Sequence, residues 1–325
     1  MRVTEAMAAT APSCNAAAIC AVVVNWNGWR DTLTCLESLF ALGPPRLRVI
    51  VCDNASTDDS VARITEWLRA RPPQDHDAVL SVDVLPLPQN LGYGGGINAG
   101  IRWARERWTP SGFWLLNNDV KAQPGALAAL VAAHASVPRA GICGSVLLEW
   151  DEPQRVQAVA GIFRRWLGVG WHATQVPAGT QVSLAVDYPV GASMYVSTAY
   201  LDEVGTMDPS YFLYCEEMDW AERGRRRGYR PVVALCSRLQ HKEGASTGSR
   251  GGVRHKSLLS ERYGVINRLR ITRKFWPLWL PVVWSSLALV ALDRVAHGEW
   301  ARAALVLRLM FSPWQWLHPL REAAR

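Results

Sequence analysis

Between residues 19 and 120 the chain alternates short apolar runs with stretches of helical periodicity. Residues 19–24 are an unbroken, mostly β-branched run closed by Asn25-Trp26-Asn27-Gly28, which predicts a buried parallel strand entering a turn. Residues 32–42 place Leu33, Leu36, Leu39 and Phe40 on one helical face, and residues 47–52 form a second apolar run ending at Asp53-Asn54-Ala55-Ser56-Thr57-Asp58-Asp59. A helix over 60–71 opens in capping residues, and a third short strand is predicted over 82–87. Strand, helix, strand, helix, strand at this spacing predicts right-handed crossovers and a parallel sheet with ligands at the carboxyl ends of its strands.

The segment Gln89-Asn90-Leu91-Gly92-Tyr93-Gly94-Gly95-Gly96-Ile97-Asn98-Ala99-Gly100 leads into a helix predicted over 101–107. Glycines ahead of a helix let backbone amides approach a phosphate, and the helix dipole favours the negative charge; a plain flexible loop is the alternative. The spacing fits neither the dinucleotide fingerprint nor a P-loop. The run Phe113-Trp114-Leu115-Leu116 then ends in Asn117-Asn118-Asp119. A strand that delivers a lone carboxylate into a polar turn can offer an oxygen ligand to Mg²⁺ or Mn²⁺, although such clusters more often bond their own backbone.

Further along, a helix is predicted over 124–135, a strand over 141–149, and loops with short strands facing a second substrate over 150–187. A strand over 188–196 and a short helix over 198–204 follow. The stretch from Met207 to Trp220 carries three carboxylates, Glu216, Glu217 and Asp219, within four positions ahead of a basic helix. At a helix start they are stabilised by the dipole, and their mutual repulsion raises at least one pKa, as a proton acceptor requires. An ordinary acidic helix N-terminus is the alternative.

At 325 residues, 49% hydrophobic and 19% charged, the chain has room for one large α/β domain or two small ones. Its net charge of +7 is concentrated late, from Arg223 to Arg230 and again from Arg254 to Lys274, just before a tryptophan-rich apolar tract. That is either a solvated helix face or attraction to anionic lipid, worth roughly 1 kcal/mol per basic residue. Residues 275–292 hold no charge, and Pro277 and Pro281 stand near their start. Residues 301–316 follow as an amphipathic piece with Arg302 and Arg308. Together they predict peripheral or monotopic attachment to the cytoplasmic face of the cell membrane, against a helical hairpin packed on the core or on a partner in a homodimer. Basic residues are not interleaved with aromatics on a strand platform, which argues against nucleic acid as a partner. Cys14, Cys20, Cys35, Cys52, Cys143, Cys215 and Cys236 show no Cys-x-x-Cys pair and are read as reduced cytosolic thiols. Residues 1–18, interrupted by Glu5, Cys14 and Asn15, lack the apolar core of a signal peptide and are expected to be a disordered lead-in.

Taken in order, Val24-Asn25-Trp26-Asn27, the Cys52 to Asp58 segment, the Asn90 to Gly100 segment, Leu115-Leu116-Asn117-Asn118-Asp119 and the Gly205 to Trp220 segment resemble the family 2 glycosyltransferases of the GT-A fold. The bacterial rhamnosyltransferase-like members are the nearest in pattern, and His241 followed by Gly244-Ala245-Ser246 completes the series. The resemblance covers residues 19–270. It implies an α/β fold with a mixed, mostly parallel sheet flanked by helices, a nucleotide-binding half over 19–120, an acceptor-binding half over 121–270 and a basic, apolar helical extension over 271–325. It implies that Asp53 and Asn25 contact the nucleotide, with Asn90, Gly92, Asn98, Asn117 and Asn118 in the donor site. Asp119 would hold a divalent ion, Mg²⁺ or Mn²⁺, and His241 could add a second contact. Two departures matter: the first aspartate of the family's Asp-x-Asp is Asn117, and the usual Glu-Asp pair is Glu216-Glu217, which makes Glu217 the base by position and leaves Glu216 and Asp219 as alternatives.

The implied reaction is an inverting transfer from a nucleotide diphosphate sugar, with dTDP-L-rhamnose the leading donor, to a saccharide acceptor that is lipid-linked and destined for a surface polysaccharide. Other donors (UDP-galactofuranose, UDP-glucose, UDP-N-acetylglucosamine) and a non-catalytic nucleotide-sugar-binding role are the competing readings. Pure binding needs no base, and the Glu216-Glu217 pair speaks against it.

Overall fold

Two apolar runs ending in polar residues dictate the centre of the fold. In a computed structural model, which describes residues 19–72, 78–242 and 257–317, β1 (Ile19–Asn25) and β2 (Leu47–Asp53) pair in parallel with Asn25 opposite Asp53. β3 (Val79–Pro86) extends the sheet beyond β2, and β4 (Gly112–Asn117) lies on the other side of β1, both parallel. The crossovers are α1 (Trp29–Phe40), α2 (Ser60–Ala70) and α3 (Gly92–Arg105). Every residue of β1 but Val24 is buried, as a strand covered on both faces requires. The expected lead-in and the Gly244-Ala245-Ser246 segment lie outside the described residues.

After β4 come β5 (Val120–Ala122), α4 (Ala126–Ser136), β6 (Ala140–Glu149), β7 (Val156–Ala158) and the hairpin of β8 (Ala160–Arg164) with β9 (Val169–Ala173). Then follow β10 (Val182–Ser183), β11 (Ser193–Ser197), α5 (Thr198–Val204), α6 (Glu216–Arg225) and β12 (Arg230–His241). The sheet runs β10-β12-β6-β11-β4-β1-β2-β3, with β5 paired to β12 and β7 to β6. β11 is antiparallel to both β4 and β6 and stitches the two halves expected around residue 120 into one continuous sheet. Buried Trp114 on β4 donates to Ser193 Oγ at 3.0 Å, and Ser193, Ser145 and Ser237 form a hydroxyl chain with 2.8 Å links across the strands.

Two expectations change in and around this sheet. The glycines of the Asn90 to Gly100 segment are not a loop before a helix but the opening turns of α3 itself. Their spacing serves contact: a Cβ on Gly100 would stand 2.5 Å from Val22 Cγ1 and 2.7 Å from Cys52 Sγ, and one on Gly96 3.2 Å from Val24 Cγ1. Side chains there would push the helix off β1 and β2. The strand expected over 188–196 likewise begins only at Ser193, because Gly191 and Ala192 form the bend that carries the chain across the end of β4.

The C-terminal region is helical. α7 (Leu258–Phe275) crosses the boundary drawn at residue 270, so the separate extension begins after Phe275 with a 3₁₀ turn (Pro277–Trp279), α8 (Leu280–Ala296), α9 (Trp300–Met310) and α10 (Pro313–Leu317). Val265, Ile266 and Leu269 of α7 pack with Val283 and Leu287 of α8 and Val306 and Leu309 of α9. Buried Arg294 of α8 donates to Glu261 Oε1 of α7 at 3.2 Å and locks the bundle.

Candidate active site

The carboxyl ends of β1, β2 and β4 converge on a buried polar knot. Asn25 Nδ2 donates to Asp53 Oδ2 at 2.7 Å, and Asn25 Oδ1 accepts from Thr32 Oγ1 at 2.8 Å and from Asn118 Nδ2 at 3.2 Å. Asp53 also takes the Ser56 amide (2.9 Å) and hydroxyl (2.7 Å), which folds the 53–56 turn beneath it. Asn118 further donates to Gly28 O and Thr32 Oγ1, both at 3.1 Å. Asn25, Asp53 and Asn118 are 0%, 2% and 5% exposed, so three of the expected nucleotide residues are buried with their side chains already paired within the protein.

Asn90 and Asn98 have the same character. Asn90 Oδ1 accepts from Asn54 Nδ2 and from the Gly92 amide, each at 2.9 Å, and so ties the turn before α3 to the end of β2. Asn98 donates to Met207 O at 2.8 Å and accepts from Met207 N at 3.2 Å, clamping the loop that precedes α6. Gly92 sits at φ +71°, where a side chain would meet Phe212 O at 2.3 Å. That contact needs glycine and seats the same loop.

Asp119 stands one residue beyond Asn118 and faces a different partner. β5 and β12 are antiparallel with His241 opposite Val120, which brings His241 Nε2 to 3.4 Å from Asp119 Oδ1. Both atoms are buried and neither has a hydrogen-bond partner among the described residues. Burial pushes the Asp119 carboxyl up, but the adjoining His241 ring, helped by Asn117, holds it below the ordinary carboxylate value. On its other side the His241 ring meets Gln157: Nδ1 is 2.7 Å from Oε1. Two unpaired electron-pair donors aimed at one another across a short gap fit a cation between them. Among the described residues no third His, Cys, Asp or Glu joins them, so a cation held here would take its remaining ligands from substrate oxygens and water, as Mg²⁺ and Mn²⁺ commonly do.

The acidic cluster divides. Asp219 is fully buried and ion-pairs with Arg223 Nε at 2.7 Å and Lys274 Nζ at 2.5 Å, which ties α6 to α7. Glu216 is buried with Oε2 unpaired, and burial followed by the charge of Glu217 pushes its carboxyl well above the ordinary range. Glu217 is partly open, and burial raises it to about 7. Tyr214 and Cys215, just before them, take left-handed φ of 70° and 72°. Asn267 of α7 holds that strained bend by donating to Leu213 O (2.8 Å) and Tyr214 O (3.1 Å).

Glu217 lies against the Gly191-Ala192 bend, with Oε1 3.7 Å from where a Gly191 Cβ would be. Tyr93 Oη donates to Gly191 O at 2.5 Å, and Asn117 N donates to Ala192 O at 3.1 Å. One two-residue bend therefore touches Glu217 on one side and the Asn117-Asn118-Asp119 turn on the other. Sequence reasoning passed over Gly191, Gln157 and Asn267; no local pattern marks them, since each acts on a partner far away in the chain.

Residues 20–170 match the profile described as Glycosyl transferase family 2. The chain is 28% identical over 232 residues to an N-acetylglucosaminyl-diphospho-decaprenol L-rhamnosyltransferase of Mycobacterium tuberculosis, covering 66% of this chain and 72% of that protein. It is 23% identical over 206 residues to the low-salt glycan biosynthesis hexosyltransferase Agl10 of Haloferax volcanii, 63% of this chain and 61% of that one. Its fold is similar to GalNAc-T7 with UDP, GalNAc and Mn²⁺ (TM-score 0.61, 14% identity, 84% of this chain but 50% of that chain). It is also similar to the mannosyltransferase PcManGT of Pyrobaculum calidifontis in complex with GDP-Man and Mn²⁺ (TM-score 0.53, 14% identity, 91% and 82%). Residues 20–170 carry a glycosyl transferase family 2 domain, the fold is that of the GT-A glycosyltransferases, and the chain is a glycosyltransferase that moves a sugar from a nucleotide donor.

Proposed function

We propose that the protein is an inverting, divalent-metal-dependent transferase that places a hexose, L-rhamnose from dTDP-rhamnose in the first instance, on a lipid-linked saccharide at the inner face of the cell membrane. The observation that carries the reading is the pair of unpaired buried atoms, Asp119 Oδ1 and His241 Nε2, joined through Gly191-Ala192 to a glutamate whose carboxyl is raised to about 7. Asp119 and His241 would hold the ion, which supplies charge neutralisation for the departing diphosphate. Glu217 takes the proton of the acceptor hydroxyl as that oxygen attacks the anomeric carbon, and a single displacement inverts the configuration. Glu216, more deeply buried and held neutral, keeps a second negative charge away from the incoming donor. The knot of Asn25, Asp53 and Asn118 with Ser56 and Thr32 supports the nucleotide from below.

The donor preference and the acceptor class rest on the relatives, the rhamnosyltransferase among them being named for a decaprenyl-linked substrate. Membrane attachment is supported by the C-terminal helices. Pro277–Ala296 is long and apolar enough to cross a membrane by length and composition, yet Arg294 is locked to Glu261 within it. Leu278, Leu289, Leu292, Trp300, Phe311 and Trp314 are all more than 60% exposed, which suits a bundle lying on the surface rather than spanning it. Calorimetry with a panel of thymidine, uridine and guanosine diphosphate sugars, with and without Mn²⁺, tests the proposal. Metal-dependent binding of dTDP-rhamnose and an inverted anomeric product are expected; a retained configuration overturns the mechanism, and preference for a uridine donor overturns the rhamnose assignment.

A further inference from the structure

Gln157 sits on the short strand β7, outside the residues assigned to the site, and its side chain crosses the end of β6 to reach β12. Its amide nitrogen donates to His241 O at 3.2 Å and to Glu149 Oε2 at 3.4 Å. Both partners are pure acceptors, so the NH₂ group must face them. The opposite flip would set the amide oxygen against a carbonyl and a carboxylate. With that orientation decided, Oε1 faces His241 Nδ1 at 2.7 Å, and two acceptors at that distance would repel. Nδ1 therefore carries the proton, in the neutral and the cationic ring alike. The neutral ring then has its lone pair on Nε2, the unpaired buried atom that faces Asp119 Oδ1.

We propose that Gln157 is a positioning residue. By bonding both the backbone carbonyl and the ring of His241, it selects the Nδ1–H tautomer and holds the Nε2 lone pair toward Asp119, ready to coordinate a divalent cation. This rests on the cation reading above, but the tautomer can be tested without any cation. Outer partners that fix a ligating histidine typically contribute 10–100-fold in metal affinity.

The test uses the full chain with ¹⁵N-labelled histidine. Long-range ¹H–¹⁵N spectra of the metal-free protein in mildly alkaline buffer should show His241, assigned by its absence in H241A, as Nδ1–H. Q157L should lose that preference and bind Mn²⁺ alone, followed by electron paramagnetic resonance, about 10–100-fold more weakly. Q157E keeps an acceptor opposite Nδ1 while losing the donor to His241 O and Glu149; it should restore the Nδ1–H tautomer that Q157L loses, which a merely structural role for the side chain would not do. An Nε2–H tautomer in the wild type overturns the proposal, as does Mn²⁺ affinity in Q157L equal to that of a wild type that binds the ion. Failure of the wild type itself to bind Mn²⁺, alone or with a nucleoside diphosphate, overturns the cation reading and with it the purpose of the pose, while leaving the tautomer result intact as the sign of which claim failed.

Discussion

Asn25 and Asp53 close β1 and β2 with every side-chain polar atom paired within the protein. Asp119 and His241, at the far ends of the turn after β4 and of β12, are about as buried but leave Oδ1 and Nε2 facing each other without a hydrogen bond. An unpaired buried polar atom is costly, about 1–3 kcal/mol, and a cation bound between the two would offset that cost on the proposed reading. The contrast separates paired from unpaired polar side chains among residues that look alike in the sequence: asparagines and aspartates at strand ends. A related division runs through the acidic cluster of α6, where Asp219 is ion-paired with Arg223 and Lys274 while Glu216 Oε2 is buried without a hydrogen-bond partner.

The contrast breaks most sharply at Glu217. Glu217→Gln should lower kcat by about 10²–10⁴-fold with donor affinity intact, measured by steady-state turnover and calorimetry. Near-normal turnover would place the base elsewhere. Asp119→Asn should cost about 10²–10³-fold in turnover and abolish the metal dependence of donor binding, whereas Asp219→Asn should act mainly on the thermal midpoint.

On the saturated side the expected currency is stability. Asn118→Ala removes three hydrogen bonds and leaves Gly28 O and the Asn25 and Thr32 oxygens short of a donor. It should lower unfolding free energy by about 1–3 kcal/mol in a urea titration, with a smaller loss of activity than Asp119→Asn. A larger loss of turnover than of stability would show that Asn118 does more than support.

Acidity sharpens the comparison further. The acting form of Glu217 is the carboxylate, so kcat/KM should fall about tenfold per pH unit as pH drops below a midpoint near 7. For stability the sign is opposite to that of an ordinary paired carboxylate. The folded pKa lies above the unfolded one, so folding favours the protonated form. The protein should therefore lose stability as pH rises from about 4.5 through about 7, and Glu217→Gln should flatten that slope in thermal melts across the range. The smallest effect on chemistry is expected at the exposed apolar rim. Phe311→Ser with Trp314→Ser should weaken co-sedimentation with anionic vesicles several-fold and leave turnover on a soluble acceptor unchanged.

Patterns of neighbouring residues determined the elements: the buried runs of β1, β2 and β4, the amphipathic α1 and α2, and α5 to the residue were legible because periodicity and capping are local. The ordered motifs were also enough to point to the family and to bring Asp119, His241 and Glu217 forward as candidates. Only the tertiary structure decided which polar residues are paired within the protein. It turned the glycines of the Asn90 to Gly100 segment from a loop into the contact face of α3, because the reason for their size lies on Val22, Val24, Cys52 and Phe212. It tied Asp219 to a lysine 55 positions away and gave His241 a partner in Gln157, 84 positions earlier. Backbone preference and burial are written in short stretches of chain, whereas whether a buried donor or acceptor is satisfied depends on which atoms the completed packing sets within about 3 Å of it, and no local pattern carries that.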